Sequence, residues 1–282
     1  MNIFLAGFSF IICALLIGAI LLRWSDHKAD AAERSRLIKF QPTAPALFDP
    51  AMIKELPEPA RRYFLFTIEA GTPLYTVADI IMDGQFSLGT KNKPDYMAME
   101  AQQTLSSPQG FVWEMSASRG LMSISGSDSG AWTRFRLLGL IPVARMGGGT
   151  DHARSAFGRY VAEAVFWTPA ALLPRSDIVW EKVDDNTARV IVTHNELTQR
   201  VELTVDDFGR PCTVKFLRWS NANPKKIHRL QLFGGYLSEF RKFSGFTLPS
   251  RVEAGNYFES DEYFPFFVAE VKDIQFPVKP VY

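Results

Sequence analysis

The stretch Asp151–Pro174, DHARSAFGRYVAEAVFWTPAALLP, is the strongest helical segment in a chain whose later stretches otherwise alternate with the period of β-strands. Ala153, Ala156, Phe157, Tyr160, Val161, Ala164 and Val165 share one helical face, while Arg154, Ser155, Arg159 and Glu163 fall largely on another. Thr150 or Asp151 is placed to cap its start after Gly147-Gly148-Gly149. Thr168-Pro169 ends it, because the residue before proline is pushed out of the helical region. A helix with one apolar face set among many strands has to bury that face on a sheet.

The strand signal begins after Gly71. Ala78, Ile80, Met82, Gly84, Phe86 and Leu88 alternate with Val77, Asp79, Ile81, Asp83, Gln85 and Ser87. Further alternating runs carry Met97, Met99 and Ala101, then Phe111, Trp113 and Met115, then Trp132 beside Arg134 and Arg136. Turn signals at Ser107-Pro108-Gln109-Gly110, Arg119-Gly120 and Ser127-Asp128-Ser129-Gly130 give hairpin spacing. After the helix, strands resume at Asp177 and continue to Phe276, with Val201, Leu203 and Val205 forming the cleanest two-faced run. We count roughly ten strands and no internal repeat. The expected architecture is mainly β with α: an N-terminal transmembrane helix, then a curved antiparallel sheet, a half-barrel, wrapped around a central helix. A closed barrel or a two-sheet sandwich gives the same periodicity.

Ile3–Leu22 holds twenty residues without a charge, long enough at about 1.5 Å per residue to cross a hydrocarbon layer of roughly 30 Å. No Lys or Arg precedes the run, unlike the basic start of a cleaved signal peptide, so an uncleaved anchor is the preferred reading. Residues 1–22 are therefore read as the anchor, 23–46 as a charged and then Pro-containing tether, and 47–282 as one β-rich domain. Within that domain, Asp49-Pro50 and Glu58-Pro59 start two short helical pieces ahead of the sheet. The expected location is a single-pass inner membrane. Arg23, Lys28, Arg34, Arg36 and Lys39 follow the helix and favour a cytoplasmic domain by the positive-inside rule.

A net charge of +1 offers no field for nucleic acid, and none is expected as a partner. Cys13 and Cys212, one of them inside the apolar run, exclude a disulfide framework. His27, His152, His194 and His228 show no ligand spacing, so neither a metal nor another cofactor is expected. Gly147-Gly148-Gly149 lacks the Gly-Lys-Ser/Thr ending of a phosphate loop and reads as a connection.

Leu56-Pro57 with Arg61-Arg62-Tyr63-Phe64, then Phe111-Val112-Trp113, then Arg159-Tyr160-Val161-Ala162-Glu163 with Trp167-Thr168-Pro169-Ala170-Ala171-Leu172-Leu173, resembles a bacterial family of uncharacterised proteins. Trp180-Glu181, Thr187-Ala188 and Asp207-Phe208-Gly209 resemble its later landmarks, and the likeness covers about residues 47–275. The resemblance implies an architecture similar to the half-barrel lipoprotein carriers of the bacterial envelope, which work outside the cytoplasm, and implies no activity. It tips the expected side of the domain slightly outward.

A 13% aromatic content fits either a thick core or a ring-lined concavity. We expect a membrane-anchored binding module for a lipid or other hydrophobic ligand, without catalysis. Trp113, Met115, Trp132, Trp167 and Trp180 would be the walls, and Arg159 and Glu163 would orient a polar head group. The alternatives are an enzyme on a membrane-derived substrate, with Glu163 as general acid or base and Arg159 stabilising charge, and a structural partner in a membrane complex. The structural reading of Arg159 and Glu163 is a solvent-facing i,i+4 pair worth about 0.2–0.5 kcal/mol.

Overall fold

The computed structural model describes residues 2–278. Helix α1 spans Asn2–Ile38, α2 Glu58–Thr67 and α3 Thr150–Trp167. The strands are β1 (Ala78–Ser87), β2 (Tyr96–Ser106), β3 (Gly110–Arg119), β4 (Met122–Ser129), β5 (Trp132–Leu137) and β6 (Ile141–Gly147) before α3. After it come β7 (Ile178–Lys182), β8 (Thr187–His194), β9 (Leu197–Val205), β10 (Pro211–Ser220), β11 (Arg229–Phe243), β12 (Phe246–Asn256) and β13 (Phe264–Gln275). All pair antiparallel in one open sheet, in the order β6-β5-β4-β3-β2-β1-β13-β12-β11-β10-β9-β8-β7. An open sheet of this width cannot stay flat, because each strand is twisted against the next by roughly 20°, and the accumulated twist curls it.

Curling makes a concave face, and α3 fills it. The helix packs on β9, β10 and β12 from one half of the sheet and on β2 and β3 from the other. Phe157, Val161, Ala164 and Val165 are buried there, so the predicted apolar face is the face used. Gly158 sets how close the helix comes. A Cβ at that position would stand 2.8 Å from Gln199 Oε1 and 3.2 Å from Phe216 Cε2. The helix starts at Thr150 with Gly149 in the cap position and no side-chain cap. The Asp151 carboxylate accepts instead from Trp219 Nε1 at 2.7 Å, which joins the helix start to the end of β10.

Two strand-level expectations change. The count is thirteen rather than roughly ten, with Met122–Ser129 and Ile141–Gly147 among the strands not expected. Ser127, Asp128 and Ser129 lie within β4, with Trp113 opposite Asp128, and the chain turns at Gly130-Ala131. Three of the four residues read as a turn there are strand residues, because their neighbours on β3 and β5 supply the ladder that a short polar segment lacks alone.

Residues 23–38, read as the first part of a tether, are helical and docked. α1 continues without a break beyond the apolar run and lies on the convex face of β2 and β3. Asp26, Asp30 and Leu37 are buried on its sheet-facing side. Asp26 meets Arg145 at 2.8 Å and 2.9 Å, Arg134 at 3.1 Å and Arg136. Asp30 Oδ1 accepts from Ser127 Oγ at 2.7 Å and from Trp132 Nε1 at 3.1 Å. Arg34 reaches Asp79 at 3.1 Å. The seam is charged, so a search for apolar periodicity passes over it.

Candidate functional site

Between α3 and the concave face lies an apolar cavity of ≈ 100 Å³. Its aromatic wall is continuous: Phe216 to Phe233, Phe233 to Phe266, Phe266 to Phe86, and Phe86 to Trp113, with ring centroids 5.6 to 6.3 Å apart. Trp113 also meets Phe267 at 6.1 Å. Strand pleat explains the set, since Val214, Phe216 and Arg218 share one face of β10 and Phe111, Trp113 and Met115 share one face of β3.

A polar corner sits where α3 crosses β2 to β4. Arg159 Nε donates to Glu163 Oε1 at 2.7 Å, its Nη1 to Asp128 Oδ2 at 2.7 Å, and its Nη2 to Gln103 Oε1 at 3.3 Å. Gln103 Nε2 donates to the other oxygen of Glu163 at 2.6 Å. The guanidinium also lies 4.5 Å from the Phe111 ring centroid and 5.0 Å from that of Trp113. Burial alone would lower the Arg159 pKa, but the charges and hydrogen bonds of Glu163 and Asp128 outweigh it and raise it. Arg159 and Glu163 are each only 15% exposed. The solvent-facing pair considered from sequence is therefore an internal network.

Arg218 differs from Arg159. It lines the same cavity with its guanidinium 5.2 Å over Phe233, makes no hydrogen bond or ion pair with any described residue, and has a buried Nε without a partner. Burial first, and then the like charge of Arg159, lower its pKa to about 10 against the pull of Asp128 and Glu163. Two further cavity residues, Trp113 and Trp167, each carry a buried Nε1–H with no acceptor.

A family model described as a family of unknown function, DUF6544, matches residues 46–269. The chain belongs to this family. No curated protein matches the sequence. Among solved structures, a DUF1329 family protein from Desulfovibrio piger is similar at 12% identity and a TM-score of 0.40, over 82% of this chain and 95% of that one. A LolA superfamily protein from Nitrosomonas europaea is similar at 12% identity and a TM-score of 0.34, over 83% and 96%. A putative outer membrane lipoprotein-sorting protein domain from Vibrio parahaemolyticus gives 10% identity and a TM-score of 0.33, over 71% and 85%.

In this DUF6544 chain, four residues singled out from sequence come together: Trp113, Arg159, Glu163 and Trp167 all line the cavity. Met115 points to the same face but belongs to the packed core. Trp132 lies on the convex side, bonded to Asp30 beneath α1, because its position on β5 is one residue out of step with the inward Thr133 and Phe135. Trp180 packs 5.4 Å from Phe64 and 5.6 Å from Tyr63 under α2, away from the cavity, and donates to the Leu172 carbonyl at 2.9 Å. Sequence reasoning missed Arg218, Gln103 and Asp128. For Arg218 and Gln103 the signal was present: each is polar at the inward parity of an otherwise apolar strand face.

One grouping has metal-ligand chemistry. Among the described residues, His27, Asp30 and Glu114 place one ligand atom each within 4.8 Å of the others. They sit in the seam between α1 and the sheet, where His27 Nε2 already accepts from Arg23 at 3.3 Å and Asp30 is bonded as above. Burial and the charge of Asp30 raise the Glu114 pKa. These contacts serve helix docking.

Proposed function

We propose that this chain is a membrane-anchored binding module that holds a lipid or another hydrophobic ligand between α3 and the concave face, without transforming it. The observation that carries the reading is the cavity itself, with apolar walls and a few convergent polar groups, the usual make-up of a small-molecule site. The anchor reading draws on α1, the one described helix long and apolar enough to cross a membrane, on whose exposed surface Phe8, Phe10 and Leu15 project. Docking of residues 23–38 adds support. Cleavage after Ala31, the nearest small-residue site, would remove Asp26 and strand three arginines. Glu163 already accepts bonds on both oxygens, an arrangement suited to fixing geometry rather than to exchanging protons with a substrate.

The test uses the full chain, extracted gently from membranes. Organic extracts analysed by mass spectrometry should contain a hydrophobic small molecule in stoichiometric amount, and the emptied protein should take up a fluorescent fatty acid. Ala254→Phe, which fills the cavity, should abolish uptake while preserving the circular dichroism spectrum. Neither co-purified ligand nor uptake by the unaltered chain would sink the proposal. Alkaline phosphatase fused at the C-terminus reads the side of the membrane, with activity expected for a domain outside the cytoplasm.

A further inference from the structure

We infer that the ligand is a single-chain amphiphile with an anionic head, and that Arg218, Trp113 and Trp167 form the head-group site. The inference rests on the binding function proposed above and sharpens it. Three donors on residues lining one cavity lack acceptors: Nε of Arg218 and Nε1 of both tryptophans. Buried donors left unmade are costly, whereas the other two charged residues lining the cavity are satisfied: Arg159 has three partners and Glu163 two. A carboxylate or phosphate carries acceptor lone pairs and a charge opposite to that of Arg218, and a planar guanidinium can grip either in a bidentate manner. A neutral hydrocarbon would leave all three donors unmet. Volume decides the tail. A cavity of ≈ 100 Å³ admits part of one alkyl chain and not two chains side by side.

The test measures displacement of a fluorescent fatty acid from the full chain in zwitterionic nanodiscs, comparing oleate, methyl oleate, lysophosphatidate and acetate. The expected result is that oleate and lysophosphatidate compete at least about tenfold better than the ester, and that Arg218→Met removes most of that preference while Arg218→Lys retains part of it. Equal competition by acid and ester leaves a hydrophobic site but overturns the anionic head. Displacement by acetate alone overturns the amphiphile in favour of a free-anion site. Failure of the fluorescent acid to bind overturns the underlying binding function as well. Should Arg218→Met fail to fold, the acid-to-ester ratio of the unaltered chain still decides.

A second observation independently assigns a membrane-facing end to the domain, given that α1 spans the bilayer. Arg23, the first residue after the apolar run, donates to the Gly139 carbonyl at 3.0 Å, in the turn between β5 and β6. From there α1 runs along the convex face to Arg36, which donates to the Gln109 carbonyl at the opposite strand ends. The membrane segment must therefore leave the domain on the side of the β3–β4 and β5–β6 turns. Those turns carry Leu121, 98% exposed, with Leu138 and Ile141 more than half exposed. Trp24, with the Lys28 ammonium 3.6 Å over its ring, stands at the same level. The geometry points to these turns entering the bilayer interface.

Single cysteines labelled with an environment-sensitive dye, in a full chain with Cys13 and Cys212 replaced by serine, test the seating in nanodiscs containing spin-labelled lipid. Quenching is expected at positions 121 and 138, and not at 131, which lies at the other end of β4 and β5. Quenching at position 16 without quenching at 121 and 138 overturns the seating while leaving the anchor in place; no quenching at 16 overturns the anchor reading itself.

Discussion

Arg218 is protonated at neutral pH in both the folded and unfolded chain, and its folded pKa is lowered from the ordinary arginine value to about 10. A cation with a lowered folded pKa costs stability at every pH below that value, and the cost fades only as the pH rises from about 10 towards the ordinary arginine value. Arg218→Met should therefore raise the melting temperature of the ligand-free protein at pH 7 by a few degrees, since an apolar side chain in place of a half-buried, unpaired charge removes its desolvation cost. Scanning calorimetry checks this, and a lowered midpoint would show that Arg218 is held in place by its surroundings rather than kept at their expense. Trp113→Phe removes one unmet donor but leaves a void in a packed, buried site, so it should lower the melting midpoint, at a cost below the about 3–5 kcal/mol typical of truncating a buried Trp to Ala. At this scale the sequence was half legible. Trp113, Arg159, Glu163 and Trp167 were found through helical and strand spacing, whereas Trp132 was misplaced because alternation shows which residues share a face but not which face is concave.

The second half of α1 is held by charge. Burial by itself raises the Asp26 pKa, but hydrogen bonds from Arg145 and Arg136 and the charges of Arg136 and Arg134 outweigh it, leaving the carboxyl below its ordinary 3.8. A carboxylate lowered in this way contributes stability that is present above about pH 3.8 and is lost as the pH falls through the folded value. Acidification well below pH 3.8 is thus expected to loosen α1 from the sheet, seen as faster amide exchange at residues 26–38 ahead of the β1–β3 core. Asp26→Ala should do the same at neutral pH, at a cost of about 3 kcal/mol, because it leaves Arg136 buried without its partner. An exchange pattern unchanged by either treatment would contradict the charge seam. The tether expectation failed for a physical reason. Asp26, Asp30, Glu33 and Leu37 recur at helical spacing, but three of the four are acidic, and their complement, Arg134, Arg136 and Arg145, lies more than a hundred residues away on strands.

For the molecule as a whole, α1 and the β domain are joined twice: covalently through residues 39–46, and by packing of α1 on the sheet. The connection is itself docked, since buried Gln41 accepts from the backbone N–H groups of Thr76 and Val77 and donates to the Val77 carbonyl. The antiparallel sheet and its central helix were readable from periodicity alone, because each is a local pattern repeated along the chain. The convex-face contact was not, because it depends on which way the sheet curls and on partners distant in sequence. This double joint makes an opposed pair of outcomes measurable. A protease site inserted at the exposed Thr43-Ala44 cuts the covalent link without touching the seam. On the proposal that α1 spans a membrane, a plain tether over residues 23–46 would let cutting release the β domain from membranes. With α1 docked through Asp26, Asp30 and Arg34, the cut domain should still sediment with the membrane fraction at neutral pH, and should come off when Asp26→Ala is combined with the cut or when the pH is brought well below 3.8. High salt alone should release it only partly, since Asp26 is 3% exposed and its arginine contacts are shielded from screening ions. Release of the cut but otherwise unaltered chain at neutral pH would show that the seam is too weak to hold the domain, and that the anchor reaches it through the linker alone.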